Sequence, residues 1–220
     1  MFKSWGSAFL MASMVMAFAA PTASAVSFHS ATTPEYLSAP QVESTRFRFP
    51  STHFGEFFIE PICTSGTAIG KTSASTTEQI ELVPTYSGCT TQALPVTVNA
   101  NGCGYVLTPS LSGGVYKASL KIACPAEKTI TIKFVQGLNV CEFFIGTQTP
   151  AESSFTLVNE GSPGQVHFSG TAKGVTYATS PESANTNCGL PNNNAEIVLN
   201  LAIKGYSDEG RSKQVSFRVE

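Results

Sequence analysis

Aspartate is almost missing from this chain: Asp208 is the only one in 220 residues. Calcium loops draw several ligands from carboxylate-rich stretches, so a calcium site is not expected. Tryptophan is equally scarce, and Trp5 lies in a segment expected to be removed. A sugar-stacking platform would have to be built from tyrosine instead. Charged residues make up only 13% of the chain, with a net charge of −2 and no block of either sign. Phosphate binding needs clustered Lys and Arg, so nucleic acid is not an expected partner. Beyond the first 25 residues no run approaches the roughly 18 apolar residues that a spanning helix needs. No cysteine pair has the close spacing of a zinc ribbon, and HExxH and the G-x-S-x-G elbow are both missing, so neither a metal nor a cofactor is expected.

What is present begins with an export leader. Residues 1–25 carry one basic residue, Lys3, then an apolar run over 8–20, then Ala23-Ser24-Ala25, the small-x-small pattern of a cleavage site. The expected product is residues 26–220, long enough to bury a sizeable core, secreted or held at the cell envelope, with no transmembrane segment. All six cysteines, Cys63, Cys89, Cys103, Cys124, Cys141 and Cys188, lie downstream of the leader, and in an oxidising compartment they read as a disulfide framework.

Alternation of apolar and polar residues marks strands with one buried face. Ile130, Ile132 and Phe134 alternate with Thr129, Thr131 and Lys133; Ile197, Leu199, Leu201 and Ile203 share a face; Val215, Phe217 and Val219 repeat the pattern. The last two segments read as a hairpin across Ser207-Asp208-Glu209-Gly210. Weaker candidates occupy 46–49, 56–59, 79–83, 142–145, 154–158, 166–169 and 175–178. Short strands with Gly and Pro between them point to an all-β, antiparallel β-sandwich of immunoglobulin-like architecture without that fold's tryptophan signature. It forms one body or two packed lobes dividing near 147–152. Residues 30–41, with Pro34 and Pro40, read as an N-terminal arm, extended along the sheet or loose.

Cys103 and Cys124 flank a centre at Gly113-Gly114. A hairpin turning there sets them opposite one another, pairs Tyr105 with Ile122 and Leu107 with Leu120, and leaves Val106, Thr108, Ser119 and Lys121 outside. One register thus satisfies both a disulfide and a core. The other four cysteines allow three connectivities. Sequential pairing, Cys63 with Cys89 and Cys141 with Cys188, suits consecutive antiparallel strands.

The segments Ser27-Phe28-His29-Ser30, Pro84-Thr85-Tyr86-Ser87-Gly88-Cys89-Thr90, Val98-Asn99-Ala100-Asn101-Gly102-Cys103-Gly104-Tyr105, Cys124-Pro125-Ala126-Glu127-Lys128, Gly174-Val175-Thr176-Tyr177 and Lys204-Gly205-Tyr206 resemble a group of exported, cysteine-containing proteins common in actinobacterial genomes. The resemblance implies a secreted β protein and carries no activity or ligand residues with it.

Candidate chemistry is sparse. His167 sits between Val166 and Phe168 in a strand and is expected to face solvent; His29 and His53 read as surface residues. A Ser-His-Asp triad would have to recruit Asp208 from a turn. Glu56, Glu60, Glu142, Glu152 and Glu196 are the carboxylates from which a glycosidase pair would be drawn. Tyr36, Tyr86, Tyr116, Tyr177 and Tyr206 are the candidates for an aromatic surface, Tyr105 being assigned to the core by the hairpin register. The pairs Phe57-Phe58 and Phe143-Phe144 are expected to be buried between two layers, the alternative being that alternation turns one ring of each outward. The loop 181–194, rich in Asn, Ser and Pro, is anchored by Cys188. The expected function is therefore that of a non-catalytic interaction protein whose partner is a protein or a cell-wall glycan. The alternative is a secreted polysaccharide hydrolase acting through paired glutamates.

Overall fold

The computed structural model describes residues 25–33, 35–50, 58–181, 188 and 192–220. Residues 1–24, His53, Glu56, Phe57 and most of the 181–194 loop lie outside them. The elements are β1 (Phe28–Ser30), β2 (Glu35–Pro40), β3 (Thr45–Pro50), β4 (Phe58–Ile59), β5 (Ile62–Thr72), β6 (Thr76–Thr77), β7 (Ile80–Thr91), β8 (Leu94–Asn99), β9 (Gly104–Ser112), β10 (Val115–Ala123), β11 (Ile130–Gln136), β12 (Asn139–Ile145), β13 (Glu152–Glu160), β14 (Gln165–Thr179), β15 (Asn192–Tyr206), β16 (Gln214–Val215) and β17 (Phe217–Val219). The chain is all-β and β-sandwich-like, as its alternating, threonine-rich segments require.

The pairings close on themselves. One ring runs β7, β9, β10, β13, β14, β15, β2, β5 and back to β7. A second runs β7, β8, β11, β12, β14, β15, β3, β5 and back to β7. The long strands β5, β7, β14 and β15 belong to both rings, so the two share a waist. Closure removes the open edges that invite aggregation. The rings are not consecutive in sequence: β9 and β10 of the first lie between β8 and β11 of the second, and the segment 147–152 crosses back from β12 to β13.

Each ring has its own aromatic centre. Phe155 stacks on Phe168 at 4.5 Å in the first. In the second, Phe49 stacks on Phe143 at 4.2 Å, with Tyr177 edge-on to both. At the waist Phe47 meets Tyr86 edge-on at 5.5 Å, and the Tyr86 and Tyr105 hydroxyls share a hydrogen bond. Phe143 is fully buried while Phe144 is half-buried, so that pair splits across the strand as alternation requires.

The disulfides are Cys63–Cys89, Cys103–Cys124 and Cys141–Cys188. The first joins directly opposed residues of β5 and β7. The second closes the base of the β9–β10 hairpin, where Tyr105 faces Ile122 and Leu107 faces Leu120, the register expected from the sequence.

The structure sharpens or corrects three readings of the sequence. The hairpin across 207–210 pairs only Gly205 with Val215 and Tyr206 with Gln214. The chain then breaks at Ser216 and β17 leaves to pair with β1, which lets Phe217 stack on Phe28 at 5.6 Å and bury completely. Of the two readings of the N-terminal arm, extension along the sheet holds over 35–40: as β2 it is hydrogen-bonded between β15 and β5, with Glu35, Leu37 and Ala39 inward. Finally, 166–169 and 175–178 are one strand, β14, bent by a bulge between Ala172 and Val175. Gly174 lies within the bulge at φ +69°, a conformation that glycine adopts without penalty.

Candidate functional site

Alternation in β3 sends Thr45, Phe47 and Phe49 inward and Arg46 and Arg48 outward. The register of β3 on β15 places Arg48 beside Glu196 and Arg46 beside Val198. An ion-pair ladder results. Arg48 Nε donates to Glu60 Oε1 at 2.8 Å and Arg48 Nη1 to Glu196 Oε2 at 3.4 Å. Lys173 Nζ lies 3.8 Å from Glu196 Oε1, and Arg46 Nη1 lies 3.7 Å from Glu60 Oε1. The hydrogen bond that Arg48 donates to Glu60, helped by the one to Glu196, holds the Arg48 proton more tightly than usual.

The ladder runs into a groove of about 760 Å³ at the fork where β2 ends and β3 begins. The β2–β3 connection forms one wall and is pinned from several sides. Gln41 N donates to Gly66 O at 3.0 Å, Gln41 Nε2 to Cys63 O at 3.1 Å, and Val42 N to Asn200 O at 2.8 Å. Thr64, Thr171, Val198 and Asn200 line the groove as well, together with Arg46 and Arg48. The row continues along the same outer face to His167, whose ring nitrogens are taken by Asn200 Oδ1 and by Glu160 Oε1, the latter at 3.3 Å. His167 is thus a partly shielded member of a polar row rather than a free surface residue, its side chain 26% exposed.

The remaining residues singled out from the sequence do not converge. His29 Nε2 is approached by both Ser27 Oγ at 3.1 Å and Glu220 Oε2 at 3.9 Å; in a triad the carboxylate would orient the opposite ring nitrogen. Asp208 caps its own turn, accepting from the Ser212 and Lys213 amides, which lower its pKa below the usual carboxylate value. Glu142 pairs with Lys133 across β11 and β12 at 4.0 Å, and Glu152 stands opposite Lys173. Glu60 and Glu196 do come together, but with the Arg48 guanidinium bonded to both. Glycosidase carboxylates need space between them for the scissile bond, with one held as an acid. The tyrosines do not form an exposed platform: Tyr105 and Tyr177 are buried, their hydroxyls pushed up to about 12 by desolvation, and the other four are half-buried.

Arg46, Arg48, Lys173, Thr64, Thr171 and Asn200 were not singled out from the sequence. The alternation Thr45-Arg46-Phe47-Arg48-Phe49 is the one local signal that could have found the arginines. Among the described residues no helix is long and apolar enough to cross a membrane, and no cluster of His, Cys, Asp and Glu could hold a metal.

These features define an all-β protein closed into two strand-sharing rings, with three disulfides of the kind typical of extracellular proteins and a polar groove at its waist. Comparison with protein-family models, curated proteins and solved structures finds no match to the chain.

Proposed function

We propose that this is an exported, non-catalytic interaction protein that binds an extended, polyhydroxylated polymer, a cell-wall glycan, in the groove between the β2–β3 connection and β15. One observation carries the reading: a pre-formed groove lined mainly by hydroxyl, amide and guanidinium groups, together with the Glu43 carboxylate and the apolar Val42 and Val198. Such a lining offers donors and acceptors to sugar hydroxyls, while Glu60 and Glu196, which converge on Arg48, are neutralised by arginine and lysine. The leader over residues 1–25 and the oxidised cysteines agree with an envelope or extracellular site of action. The likeness to exported actinobacterial β proteins points the same way.

The test is retention of oxidised residues 26–220 on cell-wall fractions and on a panel of immobilised polysaccharides, beside Thr171→Phe, which puts a bulky ring in the groove lining. Retention by the natural chain and loss in the variant support the reading. No retention, equal retention by the variant, or hydrolysis of a glycan overturns it.

A further inference from the structure

We infer that the groove's ligand carries an anionic group, carboxylate or phosphate, and that Arg46 receives it; this deepens the glycan-binding reading and rests on it. The arginines of the ladder are unequal. Arg48 makes hydrogen bonds to both Glu60 and Glu196. Arg46 has only a 3.7 Å approach to Glu60 Oε1, the same oxygen that Arg48 Nε already engages at 2.8 Å. Its side chain is 45% exposed and lines the groove, so its guanidinium is accessible to a ligand seated there. A guanidinium edge matches the two oxygens of a carboxylate or phosphate in parallel hydrogen bonds.

The surroundings favour this seat. Arg46, Arg48 and Lys173 outnumber Glu60 and Glu196 within the ladder. Thr64, Thr171 and Asn200 add neutral partners beside Arg46. Glu43, exposed on the β2–β3 connection, lines the groove as well and sets a carboxylate at its rim. An anionic polymer would therefore seat its charge at Arg46 and turn neutral hydroxyls toward Glu43. A strictly neutral glycan would leave the Arg46 edge to water.

The experiment measures affinity of oxidised residues 26–220 for soluble polygalacturonate, poly(glycerol phosphate) and dextran, at low and at near-physiological salt, for the natural chain, Arg46→Gln, Arg46→Lys and Thr171→Phe. The expected result is preference for one anionic polymer over dextran, weakened by salt. Arg46→Gln is expected to lose about tenfold or more, as for a lost charge-assisted hydrogen bond, and Arg46→Lys to fall between because it keeps charge without the fork. The polymer retained tells carboxylate from phosphate. Dextran bound as tightly as both anionic polymers, or Arg46→Gln binding like the natural chain, overturns the assignment. If Thr171→Phe still abolishes binding in that case, the groove reading survives. If Thr171→Phe binds unchanged, the groove itself is wrong.

Discussion

Glu35 is fully buried at the start of β2, and its Oε1 has no hydrogen-bond partner. It packs so closely on β15 that Gly205 leaves no room there for a Cβ, and Phe217 of the β1–β17 pair lies next to the same spot. Desolvation raises its pKa from 4.5 to about 7, against the lowering effect of hydrogen bonds from Thr32, Ala31 and Ser30. Between those values the folded chain keeps a proton that the unfolded chain has released. Stability therefore falls as pH rises from about 4.5 to about 7 and is level on either side. The shift corresponds to about 3 kcal/mol at most. Glu35→Gln keeps an oxygen for the Ala31 and Thr32 amides and has no charge to desolvate. It is expected to match the natural chain near pH 4.5 and to exceed it by up to about 3 kcal/mol at pH 8, or roughly 6–12 °C in Tm for a domain of this size. Urea unfolding from pH 4.5 to pH 8 measures this, and a carboxyl NMR titration of Glu35 gives its pKa directly. Parallel pH profiles for the two proteins, or an NMR pKa near 4.5, would refute the reasoning.

Joint replacement of Cys103 and Cys124 by serine opens a bridge of sequence separation 21 and is expected to cost about 3 kcal/mol by urea midpoint, with the far-ultraviolet dichroism of the sheets retained. Gly170→Ala drives a Cβ into the Ser154 carbonyl and to 2.7 Å from Phe155 Cα, whereas nothing lies within 4 Å at Gly113. The first is expected to lose at least about 3 kcal/mol and the second about 1, from its positive φ alone, as read by Tm. Arg46→Gln should change stability by no more than about 0.5 kcal/mol, because its ion pair is long and exposed. Arg48→Met, which strips the shared partner from Glu60 and Glu196, should cost about 1–2 kcal/mol, with the loss shrinking in high salt.

The parts of the fold that could be read in the sequence are those where one strand face is apolar and the other is not. In β9, β10, β11 and β15 the alternation was plain, and in the β9–β10 hairpin it fixed a disulfide together with its register. β5 was missed because its face is built of small and hydroxyl residues: Gly70 is required where the Glu81 carbonyl comes close, and a Cβ at Gly66 would sit 2.8 Å from Thr85 O. The same glycines weaken any strand signal. β2 was hidden by its inward Glu35, a polar residue at a core position. In β14, Lys173-Gly174 reads equally as a turn or a bulge, and only pairing with β15 decides between them. The groove was the least legible feature, because Arg48 and Glu196 stand 148 residues apart and local periodicity carries no information about that encounter.

The groove lies where β15 changes partners, from β2 over Lys204–Tyr206 to β3 over Glu196–Val198. Strands diverging at that fork leave a gap that the β2–β3 connection spans without filling. That connection is tied to the backbones of β5 and β15 through Gln41 and Val42, and the residue that accepts from Gln41 Nε2 is Cys63, itself bonded to Cys89. One wall of the groove is thereby anchored to a cross-linked strand pair, and little ordering entropy is left for a ligand to overcome. A wall held this way does not close over its guest. Under the proposed reading, such an open groove suits a chain lying along the waist better than a small molecule needing enclosure on all sides.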